Sequence, residues 1–145
     1  MKWRQVCVVV AWFLASIAFT ITAVADDVTE CCCKALNENR QSFIPQLGLG
    51  WKERYEANFQ VRESIVQQIL GKCGSSQANT LRQAAKNLEY AGRAYGAAAM
   101  VENDRSYECA RRSEILKHAS NTEGYCPELA EFMRQLAQPW DSQCR

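Results

Sequence analysis

Apolar residues recur at intervals of three and four along most of this chain, with polar residues between them. This spacing is typical of amphipathic helices, which have 3.6 residues per turn. No alternation of apolar and polar residues is long enough to indicate a strand. The pattern therefore predicts an all-α, disulfide-braced bundle of about five antiparallel helices, at roughly 28–40, 51–71, 77–103, 105–119 and 127–138.

Turn-forming and capping residues separate these helices. The segment SFIPQLGLG, residues 42–50, contains one proline and two glycines and ends the first helix. Asn103 and Asp104 can cap a new helix, and a continuous helix from 77 to 119 would be about 63 Å long, too long for a domain of this size. Pro127 suits the first turn of the last helix, where a backbone N–H would have no partner.

Two of the predicted helices have distinctive apolar faces. The second presents a wide stripe that we expect to face the core, made of Trp51, Tyr55, Phe59, Ile65, Val66, Ile69 and Leu70. The third is lined mainly by alanine and glycine, so that a neighbouring helix can approach it closely. Gly92 and Gly96 have the spacing of membrane dimerisation motifs. Because the charged Arg93 lies between them, we interpret the two glycines as sites of close helix packing in a water-soluble bundle.

Residues 1–25 have the order of a secretory signal peptide. Two cations precede an apolar run, and the small residues Ala-Val-Ala at 23–25 come directly before Asp26. We expect cleavage after Ala25, which leaves residues 26–145 as a single helical domain in the periplasm or outside the cell. The alternative is a retained anchor, because the uncharged part of this segment is long enough to cross about 30 Å of hydrocarbon.

Charge argues against a nucleic-acid-binding protein. The whole chain has a formal charge of +1, and removal of Lys2 and Arg4 with the leader would make it −1. Binding to phosphates requires a concentrated basic face, which the pair Arg111 and Arg112 does not supply by itself. We therefore expect no nucleic-acid partner, and no membrane span in the mature chain.

Seven cysteines follow the leader, and three of them are consecutive: Cys31, Cys32, Cys33, Cys73, Cys109, Cys126 and Cys144. In an exported protein such a number indicates a disulfide framework, and an odd number leaves one thiol over. A metal site is the weaker alternative, because no C-x-x-C pair occurs and the one histidine has no cysteine at ligand spacing. We expect no metal and no cofactor.

The antiparallel order of the helices predicts how the cysteines pair. The end of the second helix would return Cys73 to the cluster at 31–33, and the end of the fourth would bring Cys126 to the same place. Cys144 would then lie near Cys109 at the other end of the bundle, since about 18 Å of helix separates it from Cys126 and a disulfide needs Cα atoms within about 7 Å. The pattern therefore predicts three bridges, with one thiol of the cluster left over.

No catalytic residue can be assigned from the sequence. His118 is the single histidine, and a Cys-His pair would need a thiolate kept free in an oxidising compartment. The paired carboxylates Glu53 and Glu56, and Glu128 and Glu131, have neighbouring cations, as on solvated helix faces. Phosphate-binding, nucleophile-elbow and dinucleotide motifs are absent from the sequence.

The segment PQLGLGW, residues 45–51, is the candidate binding surface. Leu47, Leu49 and Trp51 offer apolar anchors between glycines that permit unusual backbone geometry. Such a loop could insert into a cleft of a partner. The alternative is that Leu47 and Trp51 cover the core beneath the first two helices.

These observations favour an exported protein that acts by binding another protein, plausibly as an inhibitor or immunity factor against a cell-envelope enzyme. An accessory or structural subunit of an envelope secretion or conjugation assembly is the alternative. A small secreted hydrolase is a third hypothesis, and the lack of recognisable catalytic motifs makes it the weakest.

The leader hypothesis predicts the mass of the exported protein. Cleavage after Ala25 would give a chain that begins at Asp26, which intact-mass spectrometry of protein recovered from the producing cell can measure. A mass that includes residues 1–25 would instead establish a retained anchor.

Overall fold

A computed structural model describes residues 28–145, and all of their regular structure is helical. The first helix, α1, covers 28–38 in the described part of the chain. The other α-helices are α2 (Trp51–Ala57), α3 (Phe59–Cys73), α4 (Ala78–Ala99), α5 (Arg105–Glu123) and α6 (Pro127–Ala137). Short 3-10 helices follow α1, α3 and α6, at Arg40–Phe43, Ser75–Gln77 and Gln138–Trp140.

The centre of the fold is formed by α4, α5 and α6. Helix α5 packs against both α4 and α6, and the three share a core that includes Leu88, Ile115 and Met133. Two local sequence predictions are confirmed here. Asp104 caps α5 by accepting a hydrogen bond from the Tyr107 backbone N–H at 3.0 Å, and Pro127 occupies the first turn of α6.

The region 51–71 differs from the sequence prediction of one continuous helix. It divides at Asn58, so the described residues contain six α-helices rather than five, and the antiparallel order stays a prediction. At the division one backbone carbonyl has a side-chain partner in place of the helical one. The carbonyl of Tyr55, which would accept the N–H of residue 59 in a continuous helix, instead accepts a hydrogen bond from the Arg62 guanidinium at 2.7 Å.

The break also changes which side chains reach the core. Tyr55, Val66 and Ile69 are buried as expected, but Phe59 is 43% exposed and is not part of the core. The predicted stripe assumes that one helix continues from Trp51 through Phe59, whereas α2 ends at Ala57. Placing Phe59 on the core-facing stripe was therefore wrong.

The small residues of α4 allow a close approach, as the sequence predicts, and α5 packs along this helix. At Gly92 a Cβ atom would lie 2.2 Å from the Phe43 carbonyl oxygen, and at Gly96 it would lie 2.8 Å from the Trp51 ring. The segment after α1 and the start of α2 thus lie directly against α4. Close packing explains the two glycines, as the sequence indicated.

Two disulfides brace the described residues. Cys33 is bonded to Cys126 and Cys109 to Cys144, both pairs with Cα atoms 5.3 Å apart. These are pairs that the expected helix order allows. The third expected bridge, from Cys73 to the cluster, is not formed in this structure.

Cys31, Cys32 and Cys73 carry thiols, so three cysteines rather than one are unpaired among the described residues. Cys33 is bonded to Cys126, whereas Cys73 interacts with the thiols of Cys31 and Cys32 without a bond to either.

The predicted leader lies outside the described residues. Within 28–145, none of the helices is both long enough and apolar enough to cross a membrane.

Gly92 provides a test of the close approach. Gly92→Ala should lower the free energy of unfolding by about 2 kcal/mol or more, because the new methyl group meets a backbone carbonyl that can move only with its whole segment. Gly71→Ala is the matched control: Gly71 lies in α3 with open space around its Cβ position, so alanine should be neutral or stabilise by up to about 1 kcal/mol. Urea denaturation of both variants measures the difference, and equal stabilities would contradict the packing described here.

Candidate functional site

The loop of residues 44–50 projects from the fold and is held in place by its own hydrogen bonds. The Trp51 N–H donates to the Gly48 carbonyl and the Arg54 N–H to the Gly50 carbonyl, both at 3.1 Å. The Arg54 guanidinium also donates to the Leu49 carbonyl. Gly48 and Gly50 have φ values of 135° and 68°, which residues with a Cβ rarely adopt. The sequence of this loop therefore specifies one defined conformation.

The three predicted binding residues have different environments. Leu49 is 92% exposed at the tip of the loop, and Leu47 is 41% exposed. Trp51 is half-buried, because its ring lies against Gly96 and contacts Tyr55 with a centroid separation of 6.4 Å. The structure thus leaves the two leucines available to a partner, while Trp51 mainly attaches the loop to α4.

Three clefts adjoin this loop and share lining residues. The first lies between α3 and α4 and has a volume of about 400 Å³. The second, of about 460 Å³, lies among α2, α4 and α5, and the third, of about 300 Å³, lies between the loop, α2 and α3. Tyr90 and Arg93 line the first and second, Trp51 and Tyr55 the second and third, and Arg62 the first and third. The clefts are connected through these shared residues, and the third includes Ile44, Pro45 and Gln46 of the loop; the clefts and the loop together are called here the cleft face.

The exposed apolar side chains of the described residues gather on the cleft face. The large ones are Leu47, Leu49, Phe59, Val61, Tyr90, Met100 and Tyr107. All but the two loop leucines line one of the three clefts. Single exposed apolar residues are normal on a protein surface, whereas a contiguous group marks an interaction site.

Sequence reasoning missed most of this group. Helical periodicity places Phe59 on the core face, and it does not identify Tyr90, Met100 or Tyr107 as surface residues. The signal that could have identified Tyr90 and Tyr107 is their position on helices whose core faces were already occupied by smaller residues.

A buried cation lies beneath the cleft face. Arg62 is only 2% exposed, its guanidinium stacks on the Tyr55 ring at 3.9 Å, and one of its nitrogens lies 3.2 Å from a Glu89 carboxylate oxygen. The Tyr55 hydroxyl is 2.8 Å from the Phe43 carbonyl oxygen and 3.0 Å from that of Glu89. Burial raises the pKa of Tyr55 far above its usual value, so the hydroxyl keeps its proton and acts as a donor.

The charges at the surface of the clefts are mainly positive. Arginine and lysine side chains outnumber the carboxylates of the lining, which are Glu56, Glu63, Glu89 and Glu114. Arg93 forms ion pairs with Glu56 at 2.8 Å and Glu89 at 3.6 Å, and Arg82 pairs with Glu63 at 2.7 Å. Lys86 lies over the Tyr90 ring at 5.8 Å. The face therefore combines aromatic rings with excess positive charge.

His118 lines none of the three clefts but contacts Tyr90, which lines two of them. Its ring stacks on Tyr90 with a centroid separation of 5.5 Å, and its Nδ1 lies 3.0 Å from the Asn87 side-chain oxygen. Burial lowers its pKa below the usual value, which favours the neutral ring at pH 7. The histidine supports Tyr90 from the side of α5, more than one turn before that helix ends at Glu123.

One member of each carboxylate pair noted in the sequence forms a surface ion pair. Glu56 binds Arg93, and Glu131 lies 3.4 Å from Arg134 on the same helix. Glycoside cleavage by two carboxylates needs one of them to be held protonated by its surroundings. Glu56 and Glu131 are exposed and each lies beside an arginine, as on solvated helix faces.

One group of potential metal ligands occurs in the described part of the chain, consisting of Cys33, Cys126 and Glu128. The two sulfur atoms of this group are bonded to each other, so they cannot donate as thiolates. The group is part of the disulfide framework.

Comparison with known protein families, curated proteins and solved structures finds no match to this chain. The assignment of function therefore rests on the geometry of the cleft face.

The buried ion pair beneath the cleft face can be tested by removing one charge. Glu89→Gln should lower the free energy of unfolding by about 3 kcal/mol, because the Arg62 guanidinium would stay buried without its counter-ion. Glu63→Gln removes the exposed pair with Arg82 and should cost less than about 1 kcal/mol. Urea denaturation measures both, and a small effect of Glu89→Gln would show that Arg62 does not depend on this carboxylate.

Proposed function

We propose that this protein acts by binding another protein through the cleft face, as an inhibitor or immunity factor of a cell-envelope enzyme. The observation that carries the proposal is the position of Leu49, which is 92% exposed at the tip of a loop held by backbone and arginine hydrogen bonds. A large apolar side chain fixed in water is unfavourable for the isolated protein. It becomes favourable when a partner covers it.

The form of the loop supports insertion into a cleft. Its backbone is ordered before the partner arrives, so binding loses little conformational entropy at this position. Hot spots of binding energy are usually apolar or aromatic anchors surrounded by side chains that exclude water. Leu49 and Leu47 would supply the anchor, and the cleft face beside them would supply the surrounding contacts.

The chemistry of the clefts indicates the character of the partner. Positive charge exceeds negative charge along the lining, whereas the chain as a whole has a formal charge of only +1. Opposite potentials across an interface steer association and select partners. We therefore propose a partner whose contact surface is acidic and contains an apolar cleft.

Two features expected of an exported protein support the choice of an envelope target. Two disulfides brace the described residues, and such bonds persist in oxidising compartments. The leader predicted over residues 1–25 leads to the same compartment. An inhibitor there benefits from a rigid scaffold, because rigidity lowers the entropic cost of binding.

Leu49→Asp should weaken binding about thirtyfold or more, which corresponds to about 2 kcal/mol for loss of a hot-spot residue. Its melting temperature should stay unchanged, since the side chain contacts little of its own protein. The measurement is an affinity pull-down from the cell envelope with mass spectrometry, followed by titration of the purified partner.

Gln135→Glu is the control for the added negative charge, because Gln135 is exposed on α6 and lines none of the three clefts. It should bind like the wild-type protein. Equal binding by the Leu49→Asp variant would refute the loop as the anchor. Turnover of a small substrate by the purified protein would favour the hydrolase hypothesis instead.

A further inference from the structure

The three consecutive cysteines of α1 have three different environments. Cys33 is bonded to Cys126, directly before α6, and Cys32 is completely buried in the core. Cys31 is exposed to solvent. Successive residues of a helix point about 100° apart, so the three sulfur atoms are directed to different neighbours. Only Cys31 combines a thiol with access from outside.

Cys73 lies beside this cluster. It is the last residue of α3, it is buried, and its thiol interacts with the thiols of both Cys31 and Cys32. A second thiol is therefore already in place behind the exposed one.

The surface around Cys31 is open. A shallow depression of about 520 Å³ surrounds it, lined by Glu30, Lys34, Ala35 and Glu38. Another molecule can approach Cys31 through this depression, whereas Cys32 and Cys73 are buried.

We propose that Cys31 and Cys73 form a dithiol site that exchanges with the disulfide of another molecule. The Cys31 thiolate attacks that disulfide, forms a mixed disulfide and expels one thiolate of the other molecule. The Cys73 thiolate then attacks the Cys31 sulfur, breaks the mixed bond and expels the second thiolate. Two electrons pass to the other molecule, which becomes two thiols, and Cys31 and Cys73 become joined by a disulfide.

The required oxidant is a disulfide, carried by a protein or by a small molecule such as oxidised glutathione. The bonds Cys33–Cys126 and Cys109–Cys144 indicate that the protein resides where disulfides are stable. The interaction with Cys73 raises the pKa of Cys31, and burial raises that of Cys73. Both thiols are thus mainly protonated at neutral pH, so exchange is slow there and becomes faster as the pH rises.

This assignment selects among the pairings that the sequence left open. Cys32 stays a buried thiol that packs as a small apolar residue. The new bond would fasten α1 to the end of α3, while Cys33 fastens the same helix to the segment before α6. The proposal is independent of the binding function of the cleft face.

The test is incubation of the purified protein with oxidised glutathione, followed by alkylation in denaturant and non-reducing peptide mapping. The wild-type protein should lose two alkylatable thiols and give a Cys31–Cys73 crosslink, with the two existing disulfides unchanged. Cys32→Ser should behave in the same way. Cys31→Ser should give no crosslink to Cys73, and Cys73→Ser should accumulate glutathione on Cys31, because the second step cannot occur.

Three results would overturn the proposal: a wild-type protein that keeps both thiols, a Cys32–Cys73 crosslink, or glutathione attached to Cys32 in the Cys73→Ser variant. Far-UV circular dichroism shows whether the variants fold. If Cys73→Ser does not fold, the peptide map of the wild-type protein and the Cys31→Ser variant still decides between the outcomes.

Discussion

A polar contact inside the fold determines the arrangement of its surroundings. The Tyr55 hydroxyl reaches backbone carbonyls of Phe43 and Glu89, and the Tyr55 ring carries the buried guanidinium of Arg62. Four segments meet in this way: the 3-10 helix after α1, and the helices α2, α3 and α4. A buried polar group without a partner is costly, so each segment must be in place for the others to be stable.

The cleft face follows from this contact. Arg62 donates to the Tyr55 carbonyl where the helix divides at Asn58, and just after the division Phe59 and Val61 are exposed to solvent. The position of Phe43 against Gly92 places the loop of residues 44–50 beside α4. The apolar loop, the exposed side chains of α3 and the aromatic residues of α4 thereby become neighbours. The buried ion pair of Arg62 with Glu89 extends to the surface through Arg93, which pairs with both Glu89 and Glu56. These side chains are among the charged residues that line the clefts.

The disulfides serve a different purpose from the polar contact. Cys33–Cys126 fastens α1, and Cys109–Cys144 fastens the segment after α6, so both attach peripheral parts of the chain to the central helices. Each is expected to contribute about 2–4 kcal/mol, with more from the bond that spans 93 residues than from the one that spans 35. A scaffold held at both ends presents the cleft face in one conformation, which suits the binding function proposed for it.

Local patterns in the sequence determined the helical class, the cap at Asp104, the start of α6 at Pro127 and the close packing of Gly92 and Gly96. They also singled out Leu47 and Leu49, because glycine and proline punctuate that loop. Tertiary structure decided the rest. The break at Asn58 depends on Arg62 reaching a carbonyl seven residues earlier and a carboxylate on another helix, and the choice of Cys33 rather than Cys31 or Cys32 for Cys126 depends on how α1 is rotated. Helical periodicity assumes an unbroken helix, and it does not give the rotation of a helix about its axis relative to its neighbours. Only long-range contacts could therefore show which apolar residues face solvent and which thiols lie close together.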